Sequence, residues 1–317
     1  MNLPMLDVDL LRFERGDRTA REAVVDGVRR SLATGFVYTN HDLPTALLDE
    51  AYGRLEQFFR LPRPEKEAFT VEAACGQTGY TGTLVETAAG EGLADWKEML
   101  NWAAPLPASH PLRRRFPLLY PEPLLPEAAV PGITAVLGAF HRAIADLQRR
   151  FLRVIAVGLG VHEDIFEAMV ADAPTLTRAV HYPPIIQAPR EGHAWAAPHA
   201  DINLITALPR ATAPGLQVRV GEDWVDAVPP EGQVVINSGL MLERLSNGLI
   251  PSGWHRVVAP PGSQQARLSV VQFCHPRPST LLQPFASCCT AQHPQRYAGQ
   301  LAADALEEVL YLLKLAG

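Results

Sequence analysis

The chain has little cysteine, few aromatic residues and no surplus of positive charge. Its four cysteines (Cys75, Cys274, Cys288, Cys289) form no C-x-x-C pair. Few and irregularly spaced, they argue against a disulfide-stapled secreted scaffold. Cys288 and Cys289 are adjacent, a poor geometry for pairing with each other. Reduced thiols in a cytoplasmic protein are the expectation. Lys and Arg number 28 against 34 Asp and Glu, for a net charge of −6. Without a basic surplus the chain is not expected to track a phosphate backbone, so nucleic acid is excluded as its main partner. A small anionic ligand stays open, because one local arginine outweighs the global charge. No apolar run nears the ~20 residues of a membrane helix. The longest, Val154 to Val161, is far shorter. The N-terminus carries Asp7, Asp9 and Glu14 rather than a basic start before an apolar run, so no signal peptide is expected. No membrane partner is expected, and a monomer is favoured.

What is present is ordinary for a globular protein: 47% hydrophobic and 20% charged residues in 317. That length allows one large domain or two small ones. With 28 prolines and 23 glycines, much of the chain must be loops, short strands and helix ends.

The first half reads as helical. Residues 4–9 suggest a short strand. Thr19 with Glu22 fits a capping box, followed by Val24, Val28 and Leu32 at helical spacing and a stop at Gly35. Gly35–Thr39 reads as a second strand. Leu47, Leu48, Ala51, Leu55, Phe58 and Phe59 mark the apolar stripe of another helix, ended by Pro62 and Pro64. Residues 65–69 suggest a helical turn, 75–92 loop or strand, and proline-dense 103–132 an extended connection. From Ile133 to Ile155 apolar residues space out one face of the longest helix, which ends at Gly158 and Gly160. After Thr175 the period changes. Seven strand candidates follow: Leu176–Tyr182, Ile202–Leu208, Leu216–Val220, Trp224–Val228, Gln233–Asn237, His255–Val258 and Leu268–Phe273. Their spacing suggests a β-sandwich or barrel. An amphipathic helix over 304–316 closes the chain.

The chemistry-bearing residues are His199, Asp201 and His255. His199-Ala200-Asp201 lies at the mouth of a strand candidate, where side chains at i and i+2 share a face. Two histidines and one carboxylate on one side of a metal leave the other positions open, the arrangement of non-haem Fe(II) oxygen chemistry. An H-x-D triplet is common by chance, and His162-Glu163-Asp164 is a second one. It precedes a helical pattern, in which i and i+2 diverge, and Asp164 reads as a helix N-cap. Arg267-Leu268-Ser269 follows His255 by twelve residues at the start of an apolar strand. An arginine beside a serine hydroxyl makes a carboxylate cradle.

Taken together, the residues resemble the isopenicillin-N-synthase-like branch of the 2-oxoglutarate/Fe(II)-dependent dioxygenases. The resemblance runs through Gly215-Leu-Gln-Val218, Trp224-Val225, Gly232 to Asn237, Leu245-Ser-Asn-Gly248 and Ser252-Gly-Trp-His255-Arg-Val257. In the first half it is carried by Gly35-Phe36, Asn40-His41, Phe58-Phe59-x-Leu61-Pro62, Gly79-Tyr80 and Asp95-Trp-Lys-Glu98. It implies a mixed α and β fold: a double-stranded β-helix (jelly-roll) core flanked by helices, with a helical N-terminal region. The implied division is a bracing region 1–132, a scaffold helix 133–174, a jelly-roll Fe(II)/2-oxoglutarate domain 175–285 and a C-terminal helix 286–317, in one cooperative unit.

The same resemblance implies Fe(II) held by His199, Asp201 and His255. Arg267, Ser269 and Tyr182 match residues that bind the distal carboxylate of 2-oxoglutarate. O2 is the second co-substrate. A small organic acceptor would be hydroxylated, desaturated or cyclised while succinate and CO2 are released. Phe273, His275, Arg178 and Tyr80 are candidate acceptor contacts, and each is equally well read as core packing or surface. Trp96 and Trp102 read as anchors of the N-terminal region. Two positions depart from the pattern: Leu240 where aspartate usually follows Gly239, and Val180 where asparagine is common. Other readings stay open at this point. One is an Fe(II) oxidase that uses no 2-oxoglutarate. Others are a non-catalytic metal-bound sensor or binding module, and a zinc hydrolase, for which no general base stands out.

Overall fold

A computed structural model describes residues 7–86, 93–189, 193–260 and 263–312. The first residues of the strand expected over 4–9 and the last of the helix expected over 304–316 lie outside the described residues. Within them the strands are β1 (Asp7–Val8), β2 (Phe36–Asn40), β3 (Gly79–Thr81), β4 (Glu98–Ala103), β5 (Leu176–Tyr182) and β6 (Ala196–His199). They continue as β7 (Ile205–Ala211), β8 (Leu216–Val220), β9 (Asp223–Asp226), β10 (Gln233–Ser238), β11 (His255–Val257) and β12 (Arg267–Cys274). The helices are α1 (Leu10–Arg15), α2 (Arg18–Ser31), α3 (Thr45–Phe59), α4 (Arg63–Glu67), α5 (Pro111–Arg115), α6 (Ile133–Gly158), α7 (Glu167–Val170), α8 (Leu240–Leu245) and α9 (Ala302–Leu312).

The major sheet has the order β1-β2-β10-β7-β12-β5-β4-β3, and the minor sheet β6-β11-β8-β9. Both are antiparallel apart from the β1–β2 pair. The two sheets face each other as the jelly roll. Major-sheet strands are buried on both faces, as β10 shows over Val234–Ser238, whereas β9 is mostly exposed. A sheet covered on both sides needs continuous apolar runs, and one open to water does not.

The second cover of the major sheet is α6. Leu137, Phe140, Ile144, Leu147, Phe151 and Ile155 are each no more than 1% exposed, on one helical face. They share a core with Ala179, Ala207, Val234, Ile236, Leu268 and Val270 from the sheet and with α2 and α3. Burying one such side chain contributes about 1.5–3 kcal/mol. Trp102 Nε1 donates to Leu137 O at 3.0 Å, tying β4 to α6, and Trp96 Nε1 donates to Pro184 O at 3.2 Å.

Several local expectations are corrected. The cap of α2 is Asp17, whose carboxylate accepts from Ala20 N–H, while Glu22 pairs with Arg18. Asp164 caps no helix. The short α7 begins after Phe166 without a side-chain cap, and Asp164 lies near Arg153 instead. The proline-dense connection contains the one-turn α5. Two strands were not anticipated: β4, inside the helical half, and β6, which carries His199.

Candidate metal centre

His199 and His255 face each other across the minor sheet. β6 and β11 pair antiparallel with His255 opposite His199, and the register shifts just beyond. Their ring centroids are 4.3 Å apart. Asp201 is not on a strand. It occupies the turn between β6 in the minor sheet and β7 in the major sheet. The expected i, i+2 sharing of one strand face therefore does not hold. A crossing between sheets brings the carboxylate round instead. Leu240 N–H donates to Asp201 O at 2.8 Å and fixes that turn. Gly239 is needed there, because a Cβ would meet Asn203 O at 2.2 Å.

Hydrogen bonds leave one lone pair per residue pointing inward. His199 Nδ1 lies 2.8 Å from Ala197 O, and His255 Nδ1 lies 3.1 Å from Gly253 O. A ring nitrogen facing a carbonyl carries the proton, so each Nε2 keeps its lone pair. Asp201 Oδ2 accepts from Thr206 Oγ1 at 2.6 Å and Asn237 Nδ2 at 2.8 Å. That leaves Oδ1, which is 4.0 Å from His199 Nε2. The three donor atoms all lie within 4.8 Å of one another. Burial and the neighbouring His255 hold the His199 pKa down to about 4. Burial pushes Asp201 up, but the two histidines and its two hydrogen-bond donors outweigh it and leave the carboxyl low. Two imidazoles that turn Nε2 inward and a carboxylate that turns Oδ1 inward, all within 4.8 Å of one another, fit a divalent cation. His162 and Asp164 join no such group. Among the described residues this is the one cluster of metal-ligand type.

The centre opens into a cavity between the sheets. In β12, residues 267, 269, 271 and 273 all line it, as strict alternation requires. β5 contributes Tyr182, Val180 and Arg178, paired with Arg267, Ser269 and Val271 respectively. Arg267 is only 2% exposed. Its Nη1 donates to Ser269 Oγ at 2.8 Å, its Nε to Ala213 O at 3.1 Å, and its guanidinium carbon lies 5.1 Å from the Tyr182 ring centre. A buried guanidinium without a carboxylate beside it among the described residues is suited to an anionic ligand.

Of the four acceptor candidates, Arg178 and Phe273 line the cavity, with the guanidinium carbon 5.4 Å from the ring centre. Tyr80 does not. In β3 it faces the outer side of the sheet, packs on Phe58 and donates to Glu98 Oε2 at 2.5 Å. That same carboxyl group receives Lys66, and Oε1 meets His181. His275 is buried just past β12 and is not in the cavity wall. Its Nδ1 has no partner among the described residues. Burial pulls its pKa down to about 4. Val180 lines the cavity as an apolar wall, whereas Leu240 does not reach it. Residues that the sequence did not single out are Lys97, Phe36, Thr206 and Asn237 in the wall and Glu86 behind it. For Lys97 a signal existed. Asp95-Trp-Lys-Glu98 leads into a strand, where alternation sends Lys97 and Glu98 to opposite faces.

Comparison with known proteins agrees with this geometry. Residues 3–126 match the family model described as the non-haem dioxygenase in morphine synthesis N-terminal region, and residues 174–276 match the 2OG-Fe(II) oxygenase superfamily. A leucoanthocyanidin dioxygenase 1 of Oryza sativa subsp. indica is 31% identical over 87% of this chain and 72% of its own. A 2OG-Fe(II) oxygenase family protein from Caulobacter crescentus superposes with a TM-score of 0.83 at 30% identity, over 96% of this chain and 97% of its own. A full-length Neurospora crassa protein in complex with alpha-KG gives 0.83 at 25% identity, over 96% and 95%. The chain belongs to the 2OG-Fe(II) oxygenase superfamily, in its isopenicillin-N-synthase-like branch, and is an oxidoreductase that uses Fe(II) and 2-oxoglutarate to oxidise small molecules.

Proposed function

We propose that His199, Asp201 and His255 hold the Fe(II), and that Arg267, Ser269 and Tyr182 hold the distal carboxylate of 2-oxoglutarate. The observation that carries this is one cavity with a two-histidine, one-carboxylate donor set on one side and a buried arginine without a carboxylate on the other. When bound, the iron supplies activation of O2 coupled to oxidation of the keto acid to succinate and CO2. The chain's own groups do the positioning. Thr206 and Asn237 hold Asp201 Oδ2, so that Oδ1, on the His199 side, would be the oxygen offered to the metal. Ala197 O and Gly253 O fix both imidazole tautomers. Arg267 neutralises a carboxylate in a poorly solvated pocket, where an unpaired charge is costly. Apolar Met99, Val180, Leu208, Leu216, Val235 and Val257 keep water from the reacting centre.

The acceptor is a small organic molecule that meets the cavity at Arg178 and Phe273, and its fate is hydroxylation, desaturation or cyclisation. The grouping of Arg267, Ser269 and Tyr182 favours 2-oxoglutarate use over an oxidase that draws every electron from its substrate. The protein works as a cytoplasmic monomer. The decisive experiment is anaerobic addition of 2-oxoglutarate to the Fe(II) protein. A visible charge-transfer band is expected in wild type and its loss in His199→Ala. A wild-type protein without the band, or a His199→Ala protein with normal succinate release, refutes the assignment.

A further inference from the structure

The cavity wall carries two cations that the iron and co-substrate sites leave unused. Arg178 and Lys97 both line it. Both belong to one buried chain of charges. Arg178 Nη1 lies 3.2 Å from Glu86 Oε1. Lys97 Nζ lies 3.0 Å from Glu86 Oε2 and 2.7 Å from Asp95 Oδ2. Asp95 Oδ1 in turn accepts from Ala197 N–H at 3.0 Å, two residues before His199. Glu86 is 7% exposed and Asp95 4%. Burial pushes the Glu86 carboxyl up, but Arg178 and Lys97 outweigh it and bring the pKa down to about 2. Against the opposite pull of burial, Glu86 and Asp95 raise Lys97 above the ordinary lysine range. The charges of the four groups cancel. Neither carboxylate lines the cavity, so the cavity meets N–H donors without net charge.

Arg178 is held in place from two further sides. Its Nε donates to Asn101 Oδ1 at 2.7 Å, and its guanidinium lies over Phe273. Its Nη2 has no partner among the described residues, which leaves a donor for a ligand.

We propose that the acceptor is an uncharged molecule with a flat apolar face against Phe273 and an oxygen acceptor facing Arg178, and that the Arg178–Glu86–Lys97–Asp95 chain discriminates against acceptors bearing a carboxylate. This rests on the iron and 2-oxoglutarate reading above. In that reading the divalent ion, Asp201, the dianionic co-substrate and Arg267 already cancel. A carboxylate on the acceptor would bring an uncompensated charge into a desolvated cavity. It would also compete with Glu86 for cations whose partners are buried and fixed. A carbonyl, amide or hydroxyl oxygen takes the Nη2 donor and leaves the balance intact.

The test uses full-length protein loaded anaerobically with Fe(II) and 2-oxoglutarate. Its probes are two isosteric pairs, indole-3-acetamide with indole-3-acetate and phenylacetamide with phenylacetate. The charge-transfer band is recorded first. Its absence overturns the parent reading and this proposal with it. With the band present, each amide is expected to perturb it at a concentration at least tenfold below its acid. In Glu86→Gln the cavity gains one positive charge, and the acid is expected to gain at least tenfold relative to the amide. An acid that equals or beats its amide in wild type, or gains nothing in Glu86→Gln, overturns the proposal while leaving the iron site standing. A band that neither member perturbs in either protein also overturns it. Should Glu86→Gln not fold, Arg178→Gln decides. The amide is expected to weaken at least tenfold with 2-oxoglutarate half-saturation within threefold of wild type, and any other pattern counts against the proposal.

Discussion

Removing one of the two hydrogen bonds on Asp201 Oδ2 tests the centre without touching a ligand. Thr206→Val and Asn237→Leu each delete one donor, at 2.6 and 2.8 Å respectively. Each substitution keeps nearly the same side-chain volume. A hydrogen bond to a charged group contributes about 1.5–3 kcal/mol. Part of that is lost as metal affinity, because a carboxylate freed on one side is held less firmly in the orientation that presents Oδ1 beside the histidines. Loss of an outer partner weakens metal binding by about 10–100-fold, or roughly 1.4–2.7 kcal/mol. The two ranges overlap, so each single variant is expected within that span. The double variant is expected to depart from additivity, since both donors serve one oxygen. Thr206→Val also removes an acceptor from Asn203 Nδ2, which keeps Ile205 O at 2.9 Å, so the turn itself should survive. The assay is anaerobic calorimetric titration with Fe(II) against a competing chelator, with Co(II) as a spectroscopic stand-in. If both single variants bind within threefold of wild type, the clamp on Asp201 does not set the affinity and the reasoning fails.

Other outcomes follow from the same geometry. Arg267→Ala should weaken 2-oxoglutarate by about 100-fold or more, because breaking a buried pair costs about 3–5 kcal/mol, while Fe(II) affinity stays near wild type. Equilibrium dialysis with labelled 2-oxoglutarate reads this, and a shift below tenfold would contradict it. Tyr80→Phe should leave acceptor KM within twofold and lower stability by about 1 kcal/mol, since Tyr80 serves Glu98 outside the cavity. A KM change beyond fivefold would return Tyr80 to the acceptor site. His141, buried in α6 with its Nδ1 2.7 Å from Thr177 Oγ1, and His275 are both held by burial at about 4, below their unfolded value near 6.5. Between those limits the unfolded chain binds more protons than the folded one. Their stabilisation is therefore present above pH ~6.5 and lost as pH falls through 4, at up to about 1.4 kcal/mol per pH unit for each histidine. Urea unfolding of metal-free protein across pH 4–7 measures it, and a flat profile would refute it. Phe151→Ala in α6 should cost about 3–5 kcal/mol with no change in metal affinity per folded molecule.

The fold was legible wherever local pattern and tertiary setting agree. β5 and β8 run over the predicted residues, and α6 follows its apolar stripe. β4 was missed because a strand buried on both faces has no alternation to read. It lies within the helical half, and the distant β5 pairs with it. The α2 cap was displaced because Asp17 and Thr19 both suit that position, and chain geometry chose Asp17.

The residue types that chemistry demands were written in the sequence: His199, Asp201 and His255, then Arg267 and Ser269 on one strand face. β12 displays its odd positions in one cavity because period two is a local property. How Asp201 joins the histidines was not written there. It reaches them through a turn between two sheets, pinned by Leu240 N–H. Tyr80 and Arg178 have side chains of similar reach, yet sheet register sends one outward and the other into the cavity. The charge chain from Arg178 to Asp95 joins residues 92 positions apart at its first link. The sequence by itself determined which chemistry is available, because ligand types and strand alternation are local. Only the tertiary structure decided which polar groups stay unpaired beside the metal centre, because pairing depends on which strands fold against one another.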